Sequence, residues 1–199
     1  MALLDILTEA QAIRAALGGD DPGSHLTEIV RANSAISARI DALVGPVVQR
    51  EVTEYHDGGV IRPFQTPVTS VTSVTEWDGS TQTVLTEVAW GVAGSGFSVE
   101  RSSTHDVVIR ASERRFVSGV RSVRLVYVAG RALDTSSVPV RYTEAAAGVM
   151  RRLWNREAGA WARGTDPFEQ DASSPRFFRA VDYVVDELLH DEKLPPLVA

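Results

Sequence analysis

The hydrophobic period of this chain changes twice, and those two changes constrain its fold more than any single motif does. Up to Val44 the apolar residues recur every three or four positions; from Val47 they alternate; beyond Pro139 the helical interval returns. Helices therefore flank a strand-rich insert, which predicts an α+β fold: a helical bundle of two N-terminal and two C-terminal helices with a β-rich antiparallel insert. The expected divisions are N-terminal helices over 1–46, the β insert over 47–130, C-terminal helices over 131–190 and an extended tail over 191–199, forming one domain overall.

Local signals place the elements. Leu3, Ile6, Leu7, Ala10, Ile13 and Leu17 are spaced as one helix over 3–17, and GGDDPG (18–23) stops it. Asp21 and Pro22 open a second helix, with Leu26, Ile29, Val30, Ile36, Ile40 and Val44 as its stripe and Gly45-Pro46 as its end. Asn33 and Ser37 interrupt that stripe, as in a helix that packs on a neighbour. Strands are expected at 47–55, 60–64 and 68–77, then at 81–90, 96–101, 105–110 and 121–128. Asp57-Gly58-Gly59 reads as a turn between the first two, and Asp78-Gly79 as a hairpin dipeptide after the third. The third helix carries Tyr142, Ala146, Val149, Met150 and Leu153 on one face. A polar loop is expected over 156–174, and Ser174-Pro175 opens a last helix with Phe177, Phe178, Val181, Val184, Val185, Leu188 and Leu189 inward.

Composition excludes several kinds of chemistry. With no cysteine there is no disulfide, thiolate metal site or cysteine nucleophile. No apolar run reaches the roughly 18–20 residues that span a bilayer, so no membrane partner is expected. MALLDILTEAQ lacks the basic start of a secretory signal. The net charge of −6 is unevenly spread: residues 101–156 hold eleven Arg against four acids, leaving the excess acid elsewhere. Nineteen of the twenty basic residues are Arg, whose planar fork suits bidentate carboxylate contacts, although a codon preference produces the same count. An acidic chain is a poor general nucleic-acid binder.

The search for an active site is short. GVAGSG (91–96) lacks the strand–loop–helix setting of a phosphate loop, and no G-x-S-x-G occurs. His25, His56, His105 and His190 are isolated, with no helical i,i+4 ligand pair. His56 and Asp57 are neighbours on a strand and so point to opposite faces. Glu76 and Asp78 flank a hairpin turn, where acids are expected in solvent. Trp77, Trp90, Trp154 and Trp161 form no base-stacking pattern. No catalytic residue, metal ligand or cofactor is expected.

The order of motifs is more informative than any one of them. A helix pair leads to VTEYHDGG, then to P-V-x-S-V-T-S-V-T-x-x-D-G from Pro67 to Gly79. VRLVYVAGR (123–131) then leads to a helix with LWNREAG (153–159). Over about residues 20–160 this arrangement resembles the head-tail connector (adaptor) proteins of long-tailed double-stranded DNA phages; residues 156–199 match no motif of that family. The resemblance implies a non-enzymatic structural protein of the virion neck, assembled in the host cytoplasm. Such a protein forms a dodecameric ring on the portal protein, extends the DNA channel without sequence-specific binding, and carries the stopper and tail. A stopper or tail terminator is the alternative within the same assembly, but a stopper is expected to be a smaller β-barrel without these four helices. An unrelated soluble enzyme or binding module is the remaining alternative.

The resemblance also directs attention to particular residues. Leu194, Pro195, Pro196, Leu197 and Val198 are the candidates for portal docking. Arg114, Arg115, Arg151, Arg152 and Arg156 are candidates for contacts between subunits or rings. His56, Asp57 and Gly58, with Trp77, Asp78 and Gly79, are expected as hairpin turns on a ring surface.

Overall fold

The computed structural model describes residues 5–89, 95–101, 106–111, 115–161 and 175–192, with backbone alone at 155–161, 175–178, 180 and 192. Helices and antiparallel sheets are both present, as the α+β expectation requires. The chain divides into two compact units: Gln49–Arg131, and a helical unit formed by residues up to Val48 together with those from Ala132 onward.

The helical unit contains α1 (Glu9–Leu17), α2 (Leu26–Val44), α3 (Val140–Trp161) and α4 (Pro175–Leu188). Its core joins Ile29, Ile36, Ile40 and Val44 of α2 to Tyr142, Ala146, Val149 and Met150 of α3 and to Val181, Val184 and Val185 of α4. Each buried aliphatic side chain contributes about 1.5–3 kcal/mol of burial free energy. The first helix begins later than its apolar spacing predicts. Thr8 caps it, accepting from Gln11 N–H at 3.3 Å while Gln11 Oε1 accepts from Thr8 N–H at 2.9 Å. Ile6 and Leu7 are buried before the helix starts, and Ala12, Ala15 and Ala16 form its inner face. Between α1 and α2 the chain makes a short 3-10 turn, Gly23–His25, so the second helix begins at Leu26 and not at Pro22 as expected.

The polar residues in the α2 stripe have partners inside this same unit. Ser37 Oγ accepts from Ile6 N–H at 2.9 Å, and Asn33 Nδ2 donates to the Leu7 carbonyl at 2.9 Å. Asp41 Oδ1 accepts from Val47 N–H at 2.9 Å as the chain leaves the helix. Asn33 and Ser37 thus fasten the N-terminal segment, an inward role that the stripe alone did not show. Arg39 grips Asp182 through Nε at 3.0 Å and Nη2 at 2.7 Å, tying α2 to α4. The predicted loop over 156–174 is helical as far as Trp161; residues 162–174 lie outside the described residues.

The β unit contains β1 (Arg50–His56), β2 (Val68–Asp78), β3 (Thr81–Leu85), β4 (Phe97–Arg101), β5 (Asp106–Arg110) and β6 (Val123–Ala129). Four strands form one antiparallel sheet in the order β1-β6-β2-β3, and β4 pairs with β5 separately. β6 is central because its alternate residues Val123, Leu125, Tyr127 and Ala129 are fully buried. They meet Val74, Phe97, Val108, Phe116 and Ile61 in one apolar cluster. The Asp78-Gly79 turn closes the β2–β3 hairpin, with Asp78 opposite Thr81.

The other turn differs from its reading. Asp57-Gly58-Gly59 closes no hairpin: β1 pairs with β6, and residues 60–64 form no strand, meeting β5 through a single bridge from Ile61 to Val108. β1 is an edge strand whose partner is β6, and the chain leaves the sheet after it.

Candidate functional site

The features that organise a surface are at one end of the four-stranded sheet. Gly59 and Phe116 exchange backbone hydrogen bonds of 3.1 and 2.8 Å, and Gly119 N–H donates to the Asp57 carbonyl at 3.2 Å. Asp57 Oδ1 accepts from Arg121 N–H at 2.8 Å. The 57–59 turn and the 116–122 loop are therefore stapled together. Gly58 is required at its position: φ is +87°, and a Cβ there would meet the Val117 carbonyl oxygen at 2.1 Å. Arg121 has φ +53°, and its guanidinium lies 4.5 Å from the centre of the Tyr55 ring.

Three buried carboxylates tie this unit together, Glu54 and Glu76 holding irregular segments to strands and Asp106 joining β5 to β2. Glu54 accepts from Tyr127 Oη at 2.6 Å, from His56 Nε2 at 3.1 Å and from Phe64 N–H at 3.1 and 3.2 Å. Burial alone would raise its pKa, but the hydrogen bonds from His56, Tyr127 and Phe64 N–H outweigh burial and hold it below the ordinary glutamate value. Burial, then the Glu54 carboxylate, raise the Tyr127 hydroxyl well above its ordinary pKa. Glu76 accepts from Val117 N–H at 2.7 Å and from Arg110 Nε at 3.0 Å, while Arg110 also donates to the carbonyls of Ser95 and Gly96. Asp106 Oδ2 accepts from Val68 N–H at 2.7 Å.

These acids correct two expectations. Glu76 is 5% exposed, not solvated beside the hairpin. His56 is turned under the sheet onto Glu54, not outward as a surface turn residue. Both follow from alternation: Glu54 and His56 share a face with Val52, and Glu76 shares one with Val74. Sequence reading gave Glu54 no role, although its phase with the inward valines was the available signal.

Between the stapled loops and the β2–β3 hairpin lies a hollow of about 510 Å³. Tyr55, Trp77, Asp78, Gly79, Val120 and Arg121 are among the residues that line it. Val120 is 89% exposed. Tyr55 and Thr75 flank Arg124 across the strands, and Trp77 follows Thr75 on the same face. Arg124 Nε is buried and has no acceptor.

The arginine candidates are dispersed. Arg115 is exposed beside the stapled loop, and Arg151 is exposed on α3. Arg152 already contacts its own chain, 3.4 Å from Glu187 and with its guanidinium 4.8 Å from the Tyr183 ring centre. Arg114 and the tail residues Leu194, Pro195, Pro196, Leu197 and Val198 lie outside the described residues, as does the side chain of Arg156. Among the described residues no group of three His, Asp or Glu side chains could hold a metal ion, and no helix is long and apolar enough to cross a membrane. Glu54 and Glu76 face donors of their own chain, so what this end of the sheet offers is a shaped surface of aromatic, aliphatic and arginine side chains.

No family model and no curated protein matches the chain. Solved structures do. A chain in the neck of an empty GTA particle, computed with C6 symmetry, matches with a TM-score of 0.53 and 17% identity, covering 78% of this chain and 80% of that one. A chain in the virion of a native gene transfer agent (GTA) particle matches with a TM-score of 0.53 and 16% identity, covering 94% of this chain and 91% of that one. At these identities the shared property is the fold, and it extends over nearly the whole chain.

Proposed function

We propose that this protein is the head-to-tail adaptor of a virion neck, a structural ring subunit without catalytic activity. In this reading copies of the chain form a dodecameric ring that docks on the portal, lengthens the DNA channel and carries the stopper and tail. The observation that carries the proposal is the fold shared with a gene transfer agent virion chain over 94% of this sequence. The order of sequence motifs supports the same role. Contacts between subunits or rings are assigned to Arg114, Arg115, Arg151 and Arg156, with Arg152 contributing only if its Glu187 pairing opens. Leu194–Val198 is assigned to the portal. Nothing in this role requires a cofactor.

Deleting the gene and imaging the particles tests the proposal. DNA-filled heads without tails are expected, together with a ring of this chain between portal and tail in complete particles. Normal tailed particles made without the chain would overturn it.

A further inference from the structure

An open strand edge invites another chain to pair, and folded sheets blunt their edges with charges, bulges or covering segments. The other strands of the β unit each show one of these devices. β1 carries Arg50, Glu51 and the inward-pointing Glu54. The half of β2 that lies beyond β3, residues 68–73, shifts register twice against β6. In the separate pair, Phe97 of β4 exchanges backbone hydrogen bonds with Thr86 and Val88 at 3.0 and 2.8 Å. Val108 of β5 exchanges two with Ile61 at 2.9 and 3.0 Å. β3 differs from all of them. Its sequence TQTVL holds no charge and no proline, and its pairing with β2 has no register shift. Thr81, Gln82, Thr83 and Val84 are all exposed, Val84 to 66%.

The phase of the ladder fixes what that edge offers. Trp77 N–H turns away from β3 to the Ser122 carbonyl at 2.8 Å. Trp77 and Gln82 are therefore a non-hydrogen-bonded pair, and Thr75 with Val84 is the next one. The N–H and C=O groups of Gln82 and Val84 thus point outward, and among the described residues no other segment meets them. We infer that the β3 edge receives an extended strand of another protein, which adds to the four-stranded sheet by backbone hydrogen bonds. The acids near the edge select a foreign strand over a second copy. Exposed Asp78 stands at the hairpin turn, and exposed Glu87 lies just past Leu85. Antiparallel pairing of two β3 strands would bring Glu87 of each copy towards Asp78 of the other, and like charges oppose such an approach. An uncharged, β-branched strand flanked by Lys or Arg meets those acids favourably. This inference does not require the neck reading; in a ring the contact would be repeated and would gain by avidity.

The test titrates the isotope-labelled full-length chain, followed by NMR, with a short capped peptide of alternating Val and Thr that has Arg at each end. The amide resonances of Gln82 and Val84 should move and their exchange with solvent should slow. Val84→Pro removes an outward N–H and leaves the bonds between β2 and β3 in place, so it should weaken peptide binding roughly tenfold. Replacing the terminal Arg of the peptide by Glu should weaken it by roughly the same factor. If Val84→Pro fails to fold, a peptide methylated at every backbone nitrogen decides, because it leaves the protein untouched and should not bind. Resonances at β3 that stay still, or equal binding by the methylated peptide, would overturn the edge site. Equal binding by the Glu-ended peptide would overturn the charge selection and with it the foreign strand. Self-association of the wild-type chain that is lost in Val84→Pro would overturn the proposal in favour of a second copy. None of these outcomes bears on the neck reading, which stands or falls on the particle images.

Discussion

Tyr127 Oη donates a 2.6 Å hydrogen bond to Glu54 Oε1, joining the central strand β6 to the edge strand β1 beneath the sheet. The pair also holds the segment leading to β2, since Phe64 N–H reaches Glu54 and Gln65 N–H donates to Tyr127 Oη at 3.0 Å. An ionised carboxylate is the only side chain here that can accept from a hydroxyl, an imidazole and an amide together.

Replacing Glu54 by Gln should therefore destabilise the protein by about 2 kcal/mol at pH 7, because an amide brings a donor to a point where donors already converge. The loss should depend on pH with a definite sign. Glu54 titrates below its ordinary value of 4.5, so its contribution is complete above about that pH and fades as acid protonates the folded carboxylate. Urea unfolding from pH 7 to pH 3 should show the gap between wild type and Glu54→Gln narrowing. A gap that stays constant would show that the carboxylate is not held ionised.

Tyr127→Phe gives the opposite limb. The hydroxyl's pKa is raised, so its contribution is complete below its ordinary value of 10.0 and declines as pH rises towards the folded value. The substitution should cost about 1–2 kcal/mol at neutral pH, from one buried hydrogen bond to a charged acceptor. Above pH 10 the mutant should lose less stability than wild type in the same unfolding experiment.

Two glycines with similar backbone conformations should respond differently. Gly79 has φ +59° with open space around its Cβ direction, so Gly79→Ala should cost about 1–2 kcal/mol of left-handed strain. Gly58→Ala adds a collision with the Val117 carbonyl oxygen and should exceed that by about 2 kcal/mol, opening the staple between the 57–59 turn and the 116–122 loop. Thermal denaturation ranks the two. Amide exchange at Gly59, Phe116 and Gly119, whose N–H groups make the staple, should accelerate only in Gly58→Ala.

Legibility in the sequence followed the range of the interaction. Period changes, the Asp78-Gly79 hairpin and the Tyr142–Leu153 helix face are local, and each is where the spacing puts it. The partner of β1 is not local: β6 lies beyond four intervening strands, and no turn residue at 57–59 records that choice. Asp57-Gly58-Gly59 carries the composition of a hairpin because both a hairpin and this staple need glycine at positive φ. Glu54 and Glu76 were hidden for a related reason. An acid in the inward phase of a strand looks like a phase error until the donors that meet it, Tyr127 and Phe64 N–H or Arg110 and Val117 N–H, arrive from distant segments. Arg124 Nε falls in the same class, since a missing acceptor is visible only once the neighbours are placed.

Removing residues 193–199 should separate docking from folding. Leu194, Leu197 and Val198 are apolar, and they follow the acids Asp186, Glu187, Asp191 and Glu192, which keep such a segment soluble. Pro195-Pro196 favours an extended peptide, so less conformational entropy is lost when a groove captures it. Among the described residues the helical core is built from positions between Ile6 and Leu189. The truncated chain should therefore melt within about 0.5 kcal/mol of the full one, the range of changes that leave the core intact. Incubated with DNA-filled tailless heads, the truncated chain should fail to co-sediment with them while the full chain binds. Equal binding by both would remove the tail from portal docking and leave the arginine-rich surfaces to supply it.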